Sequence, residues 1–164
     1  MAKGDITIFE NAGASKMGGT IKKFVAAGTT ASINAGEPVD RVALTTATVK
    51  AMPNAATPGT DFVVGVALSN SNETATVAGT VDVIPAIPGQ IFLCAPKVPA
   101  SWNTQALYNA LCGKRVQFDL TGGVYTILTT DLTQNMCIVE WLDVGRYPGM
   151  VAFSFNTKAV DSNI

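Results

Sequence analysis

The stretch from Thr76 to Pro85, TVAGTVDVIP, decides the fold class of this chain. Apolar residues, mainly valines, recur in it at every second position. Successive side chains of a β-strand point to opposite faces, so this alternation predicts a strand with one buried face. The positions that share the predicted buried face are Val77, Gly79, Val81, Val83 and Pro85.

Strand and turn signals continue on both sides of this segment. Within and beside this stretch the predicted strands cover residues 74–77 and 80–84. The strands predicted elsewhere cover residues 39–44, 47–51, 62–68, 90–95, 115–120, 124–128, 137–144 and 150–155. Turn-forming pairs such as Pro58-Gly59 and Pro88-Gly89 separate them. Short strands with turn signals every 8–12 residues or so are typical of sandwiches and barrels. The sequence therefore predicts a mainly β domain over residues 28–155, either a β-barrel or a β-sandwich.

Two hairpins are predicted near the end of this domain. Thr121-Gly122-Gly123 separates two of the strands and has the glycines that tight hairpin turns require. A longer loop, from Gly145 to Gly149, separates the last two strands.

One short α-helix is predicted near residues 103–112. Ser101 or Asn103 can cap its start, and Gly113 can end it. The apolar residues expected on its buried stripe are Ala106, Leu107, Ala110 and Leu111. We expect this helix to close an open end of the barrel.

The segments outside the domain differ from it in composition. Residues 1–27 are rich in glycine and alanine and contain four lysines. Asp5 to Phe9 can form a short strand, and for the rest we predict a flexible, slightly basic N-terminal arm. About 20 extended residues reach on the order of 65 Å, far enough to contact a neighbouring subunit. Residues 156–164 are predicted to form a polar C-terminal tail.

The composition argues against catalysis. The chain has no histidine, which is the commonest general acid–base group and metal ligand. Cys94, Cys112 and Cys137 are too few and too scattered for a zinc site, and they indicate reduced thiols of a protein made in a cytosol. Glu140 and Asp143, three apart, fall on opposite faces of a strand. We expect no catalytic residue, no metal and no cofactor, so the chain is not predicted to be an enzyme.

Charge and hydropathy bear on the partners. The formal net charge is -1 and only 14% of residues are charged, which leaves no basic footprint for nucleic acid. No apolar stretch approaches the roughly 20 residues of a membrane span. Neither nucleic acid nor a membrane is expected as a partner.

Three segments carry a resemblance to a known family. They are Gly79 to Cys94 (GTVDVIPAIPGQIFLC), Gly36 to Val39 (GEPV) and Gly65 to Leu68 (GVAL). With the chain length, the missing histidine and the Thr/Val-rich strands, they resemble the capsid decoration, or cement, proteins of tailed bacteriophages. The likeness spans about residues 28–155. It implies a non-enzymatic virion structural protein on the outer capsid surface, bound as a homotrimer to the major capsid protein.

The same resemblance leaves alternatives open. The added helix and the last two hairpins depart from the smallest decoration proteins, so a head-fibre or other virion assembly role also fits. A carbohydrate-binding β-module is a further possibility, and it requires an exposed aromatic platform of Trp102, Trp141 and Tyr147. An enzyme that uses carboxylates would need two acids facing one pocket.

Five residues are the candidate partner contacts. Lys16, Lys22 and Lys23 on the predicted arm are expected to contact the capsid shell. Arg146 and Tyr147 lie in the glycine-bounded loop, and Arg and Tyr are favoured interface anchors. A surface poor in charge loses little desolvation free energy when it is covered, as a cement protein requires.

Overall fold

The computed structural model describes residues 6–11, 20–27, 32–42, 47–54, 56–129, 136–156 and 160. Within these ranges the chain is mainly β, as predicted. Its strands are β1 (Thr7–Asn11), β2 (Ile21–Val25), β3 (Pro38–Arg41), β4 (Thr48–Ala51), β5 (Val63–Ala67), β6 (Gly79–Pro85), β7 (Gln90–Cys94), β8 (Arg115–Thr121), β9 (Val124–Leu128), β10 (Cys137–Val139) and β11 (Val151–Phe155). A 3-10 turn (Pro99–Ser101) and one helix, α1 (Gln105–Asn109), stand between β7 and β8.

Five strands form a closed barrel in the order β2-β4-β3-β5-β6, with β6 pairing back onto β2. All neighbours are antiparallel except β2 and β4. The barrel interior is filled by small apolar side chains, and its buried residues are Val25, Ile33, Val39, Val49, Val64, Ala67, Val81 and Val83. The barrel therefore has a packed core of its own.

Strand β6 confirms most of the alternation that predicted it. Gly79, Val81, Val83 and Pro85 are all buried. Val77 is not, because residues 74–77 form a turn in which the Thr74 N–H donates to the Val77 carbonyl. The predictions of a strand over 74–77 and of a buried Val77 are therefore wrong.

Gly79 is required by a close approach of the backbone. A Cβ atom at this position would lie 2.2 Å from the Glu73 nitrogen. The segment that contains Asn72 and Glu73 is also bonded to β6, because the Thr80 N–H donates to Asn72 Oδ1 over 2.6 Å.

The other six strands form one sheet in the order β1-β7-β11-β10-β8-β9. The β9 end of the sheet curls back towards β7, because the residues that follow β7 pair with β9. The Ile127 N–H donates to the Ala95 carbonyl (3.0 Å), and the Lys97 N–H donates to the Ile127 carbonyl (2.8 Å). This sheet thus curls around an aromatic core whose rings are Phe92, Phe118, Tyr125, Phe153 and Phe155.

A second hydrophobic core, distinct from the barrel interior, is shared by the barrel and the curled sheet. Val63, Val66 and Ile84 of the barrel belong to the same buried cluster as the aromatic rings. A polar contact joins the two parts as well, since the Tyr125 hydroxyl donates to the Met52 carbonyl. One outer side of the barrel is therefore covered by the sheet.

Both predicted hairpins are present. Thr121 pairs with Val124, which leaves Gly122 and Gly123 as a two-residue turn with φ values of 62° and 80°. Positive φ at both central positions is the condition of a type I′ turn, which glycine meets without strain. In the second hairpin β10 pairs with β11, but β10 already ends at Val139, so the connection is longer than predicted.

Helix α1 lies within the predicted range but differs in its cap and its packing. The side chain of Thr104, not of Ser101 or Asn103, accepts the Leu107 N–H at the start. The predicted buried stripe is wrong, because Ala106, Leu107 and Ala110 are exposed and Leu111 is only half-buried.

The buried residue of α1 is Tyr108. Its hydroxyl accepts the Ala152 N–H (2.8 Å) and donates to the Glu140 carbonyl (3.0 Å), and its ring meets Trp102 edge to face. These contacts hold the helix on the curled sheet. The expectation that it closes the barrel is therefore wrong.

The segment predicted as an N-terminal arm contains two strands, β1 near the short strand expected at residues 5–9, and β2, which was not predicted. Residues 21–25 form β2, which stands between β4 and β6 and completes the barrel. The apolar residues Ile21 and Val25 pair in register with β6, which explains why this part is a strand. Strand β1 pairs with β7 at the edge of the curled sheet. Residues 1–5 and 12–19 lie outside the described residues, as do 157–159 and 161–164 of the predicted tail.

Candidate functional site

The thiols are not placed for catalysis. Cys94 and Cys137 are buried, and burial raises the pKa of Cys94 to about 12 and that of Cys137 well above its ordinary value. A thiol with so high a pKa is protonated at neutral pH, whereas the nucleophile is the thiolate. Among the described residues there is no group of three or more Cys, Asp or Glu side chains that could hold a metal ion. The same part of the chain contains no helix long and apolar enough to span a membrane.

The carboxylates Glu140 and Asp143 serve separate structural roles. Glu140 Oε1 accepts the Ser154 hydroxyl. Asp143 Oδ1 accepts the backbone N–H groups of Gly145 (3.0 Å) and Arg146 (3.4 Å). Because these groups have structural roles, the candidate sites lie on the surface of the protein, where two regions stand out.

The part of the outer barrel surface that the curled sheet leaves uncovered presents the first surface. We call it the barrel face, and its residues are Lys22, Phe24, Val42, Thr48, Leu68, Thr80 and Asp82. Strands β2, β4 and β6 and the residues that follow β3 and β5 supply these side chains. They alternate with the valines that fill the barrel.

One row of the barrel face runs across four neighbouring segments. Phe24, 58% exposed, lies in register between Thr80 of β6 and Thr48 of β4. Val42 continues the row, because its N–H donates to the Thr48 carbonyl over 3.1 Å. Two exposed apolar side chains thus alternate with two threonines.

A second row runs beside the first. The Lys22 Nζ and an Asp82 carboxylate oxygen lie 3.6 Å apart, in an ion pair that is open to solvent. Leu68, which is 54% exposed, is tied to this row because its N–H donates to the Asp82 carbonyl (2.8 Å). The charges of this row compensate each other, so the barrel face combines exposed apolar groups with little net charge.

An ion pair between a buried carboxylate and a partly exposed lysine lies in the same barrel wall. Asp40 is buried, and its Oδ1 accepts the Phe62 N–H over 2.7 Å. Its Oδ2 lies 3.3 Å from the Nζ of Lys50, which stands two residues after Thr48 on β4. Burial raises the pKa of Asp40, and the Phe62 hydrogen bond and the Lys50 charge oppose that rise.

The lysines predicted as partner contacts separate in the structure. Lys22 belongs to the barrel face, whereas Lys23 is half-buried and points to the other side of β2, opposite Val81. Lys16 lies outside the described residues.

Phe24 was missed by the sequence analysis. The alternation in Ile21-Lys22-Lys23-Phe24-Val25 was the available signal, but the glycine-rich context of this short segment favoured an arm.

The second surface is the loop that contains Arg146 and Tyr147. Asp143 orders this loop, because its carbonyl accepts the Arg146 and Tyr147 N–H groups as well. The Arg146 guanidinium lies 5.3 Å from the centre of the Tyr147 ring, within cation–π range. The loop belongs to the curled sheet, so the structure does not unite it with Lys22 in one site.

A cleft of about 590 Å³ lies between this loop and the start of α1. Asn103, Thr104 and Gln105 line one side, and the other side is lined by Asp143, Val144, Gly145, Pro148 and Gly149. The range of small-molecule sites in proteins, about 300–1,000 Å³, includes this volume.

The three aromatic residues do not form a joint platform. Trp102 is buried, with 1% of its surface exposed, and packs on Tyr108. Tyr147 is half-buried, whereas Trp141 is 63% exposed. The platform expected of Trp102, Trp141 and Tyr147 is therefore absent, and Trp141 alone of the three stands open to solvent.

Comparisons of the chain with protein-family models, with curated proteins and with solved structures found no match.

Proposed function

We propose that this protein is a virion structural protein that decorates the outer capsid surface and stabilises it by bridging neighbouring major capsid protein subunits. The barrel face is the surface that contacts the shell. The observation that carries the proposal is the in-register row of Phe24 and Val42 with their threonine neighbours, exposed on a rigid, closed sheet.

Exposed apolar residues that stand singly are common and need no explanation. On the barrel face, however, a single strand separates exposed Phe24 from each of the other two exposed apolar residues: β4 lies between Phe24 and Val42, and β6 lies between Phe24 and Leu68. Grouped apolar exposure of this kind marks interaction surfaces. Threonines between them and one compensated ion pair keep the desolvation cost of covering the face small. Phe24 has the size and position of a central anchor residue.

The barrel closure favours side-chain contact over strand pairing. A closed barrel offers no free strand edge to a partner. A rigid face also loses little conformational entropy on docking. Many identical copies on a lattice convert modest single-site affinity into avidity, and a homotrimer adds to this effect. The resemblance to decoration proteins supports the same function.

Co-sedimentation with shells assembled from the major capsid protein encoded with this chain tests the proposal. The wild type should pellet with the shells, and Phe24→Ala should weaken binding by at least about tenfold, as expected for loss of an anchor worth roughly 2 kcal/mol. Leu107→Ala, which removes a similarly exposed side chain from α1, is the matched control and should bind like the wild type.

Two results would contradict the proposal: a wild-type protein that never pellets with the shells, or a Phe24→Ala variant that binds as well as Leu107→Ala. A deletion of residues 1–23 is a poor substitute for these variants, because it removes part of β2 and opens the barrel. Lys22→Ala tests the predicted lysine contact without that damage.

A further inference from the structure

We infer that the cleft between the start of α1 and the loop 143–149, together with the neighbouring Trp141, is a carbohydrate-binding site. It differs from the β-module with a three-residue aromatic platform, which the structure does not form, because it combines one exposed aromatic residue with a polar cleft. This site lies on the curled sheet, and the barrel face lies on the barrel. The inference therefore adds a second binding activity to the proposed function.

Gln105 fixes the shape of the cleft. Its Nε2 donates to the Leu142 carbonyl (2.9 Å) and to Asn109 Oδ1 (2.8 Å), and its Oε1 accepts the Val144 N–H (3.0 Å). These bonds tie the first turn of α1 to the extended segment opposite it. The two walls are thus held before any ligand arrives, which lowers the entropic cost of binding.

Asp143 and Asn103 supply the polar contacts. Asp143 Oδ1 is engaged by two backbone N–H groups, which orient the carboxylate and leave Oδ2 without a partner among the described residues. The Asn103 side chain is exposed and lines the same cleft. A carboxylate accepts hydrogen bonds and an amide both donates and accepts, so the pair matches the mixed donors and acceptors of vicinal hydroxyl groups.

Trp141 lies beside the residues that line the cleft and supplies the apolar contact. Exposure alternates along the segment after β10: Trp141 and Asp143 are exposed, and Leu142 and Val144 are buried. Trp141 therefore points to the same side as Asp143, and two residues of extended chain separate them by about 6–7 Å. The C–H face of a pyranose ring packs on such an aromatic surface while its hydroxyls reach the polar wall.

The chemistry of the cleft favours a neutral sugar over other ligands. Of the described residues that line it, only Asp143 is ionisable, so a phosphate would be repelled, and one carboxylate is too little to hold a metal cation. An oligosaccharide needs an aromatic face and a few fixed polar groups, and both are present here.

A glycan array, followed by saturation-transfer NMR with the glycans that bind, tests the inference on the full-length protein. We expect saturation transfer with Kd values of about 0.01–1 mM. Trp141→Ala should abolish it, and Asp143→Asn, which keeps an oxygen for the Gly145 and Arg146 amides, should weaken it roughly tenfold. The matched control Leu107→Ala should bind like the wild type.

Intrinsic fluorescence gives a second readout, because Trp141 is exposed and Trp102 is buried. A bound glycan should shield Trp141 from iodide quenching in the wild type. The inference is overturned if no glycan on the array gives saturation transfer at about 10 mM, or if Trp141→Ala binds like the wild type. It is also overturned if sedimentation shows that the free protein is an oligomer and iodide no longer quenches Trp141 in that oligomer.

The two proposals fail separately. Trp141→Ala should still pellet with capsid shells, and Phe24→Ala should still bind the glycan. Loss of glycan binding in both variants would point to misfolding, which circular dichroism detects; with both variants folded, that loss would contradict the assignment of two independent sites.

Discussion

Replacing Tyr108 by Phe should lower the free energy of unfolding by about 2 kcal/mol, although no packed carbon atom is lost. The Tyr108 hydroxyl accepts the Ala152 N–H (2.8 Å) and donates to the Glu140 carbonyl (3.0 Å). Ala152 is fully buried, so the variant leaves its N–H without an acceptor. An unsatisfied buried donor costs about 1–3 kcal/mol, and the ring contact with Trp102 is retained.

Tyr125→Phe is the matched control for this prediction. Tyr125 is also buried, but its hydroxyl donates only to the Met52 carbonyl, so its removal leaves an acceptor rather than a donor. We expect this variant to lose about 1 kcal/mol. Burial raises the pKa of both tyrosines above its ordinary value of 10.0, so both hydroxyls are protonated donors at neutral pH.

Urea unfolding followed by circular dichroism measures both variants. The transition midpoint should fall further for Tyr108→Phe than for Tyr125→Phe, with unchanged m values. A Tyr108→Phe variant within about 0.5 kcal/mol of the wild type would refute the reasoning, because it would mean that water or another acceptor reaches the Ala152 N–H.

Two further predictions concern the barrel. Burial raises the folded pKa of Asp40 above its ordinary value of 3.8, so the stability from this group is present below pH 3.8 and is lost as pH rises through the folded pKa. Urea unfolding at pH 3–8 measures the stability of Asp40→Asn relative to that of the wild type. The advantage of the variant should grow from pH 3.8 up to the folded pKa of Asp40 and then level off. A difference that does not change with pH would contradict this. Gly79→Ala should destabilise by more than about 2 kcal/mol in thermal melts, because its Cβ would lie 2.2 Å from the Glu73 nitrogen. Gly59→Ala, which meets open space at a positive φ, should cost about 1 kcal/mol, and equal losses would refute the steric argument.

Local patterns predicted much of the fold correctly. The alternation around Val81 and Val83 gave a strand with a buried face, and Gly122-Gly123 gave a hairpin turn. Both features depend on backbone geometry within a few consecutive residues, which the sequence displays directly.

Local sequence patterns predicted the residues of the candidate sites less well than they predicted the strands and turns. Strand β2 exists because its residues pair with Thr48 of β4 and with Val83 and Val81 of β6, far along the chain. The burial of Trp102 and the exposure of Trp141 likewise follow from where α1 packs. Contacts between distant segments leave no local periodicity to detect.

The sequence by itself determined that this protein is built of strands, because side-chain alternation is a property of consecutive residues. Only the tertiary structure decided which outward side chains meet solvent. Ile84 and Phe24 are both apolar and both point out of the barrel, yet Ile84 is 6% exposed and Phe24 is 58% exposed. The curled sheet covers the side of the barrel where Ile84 lies and leaves the side of Phe24 open, and that packing sets the surface available to a partner.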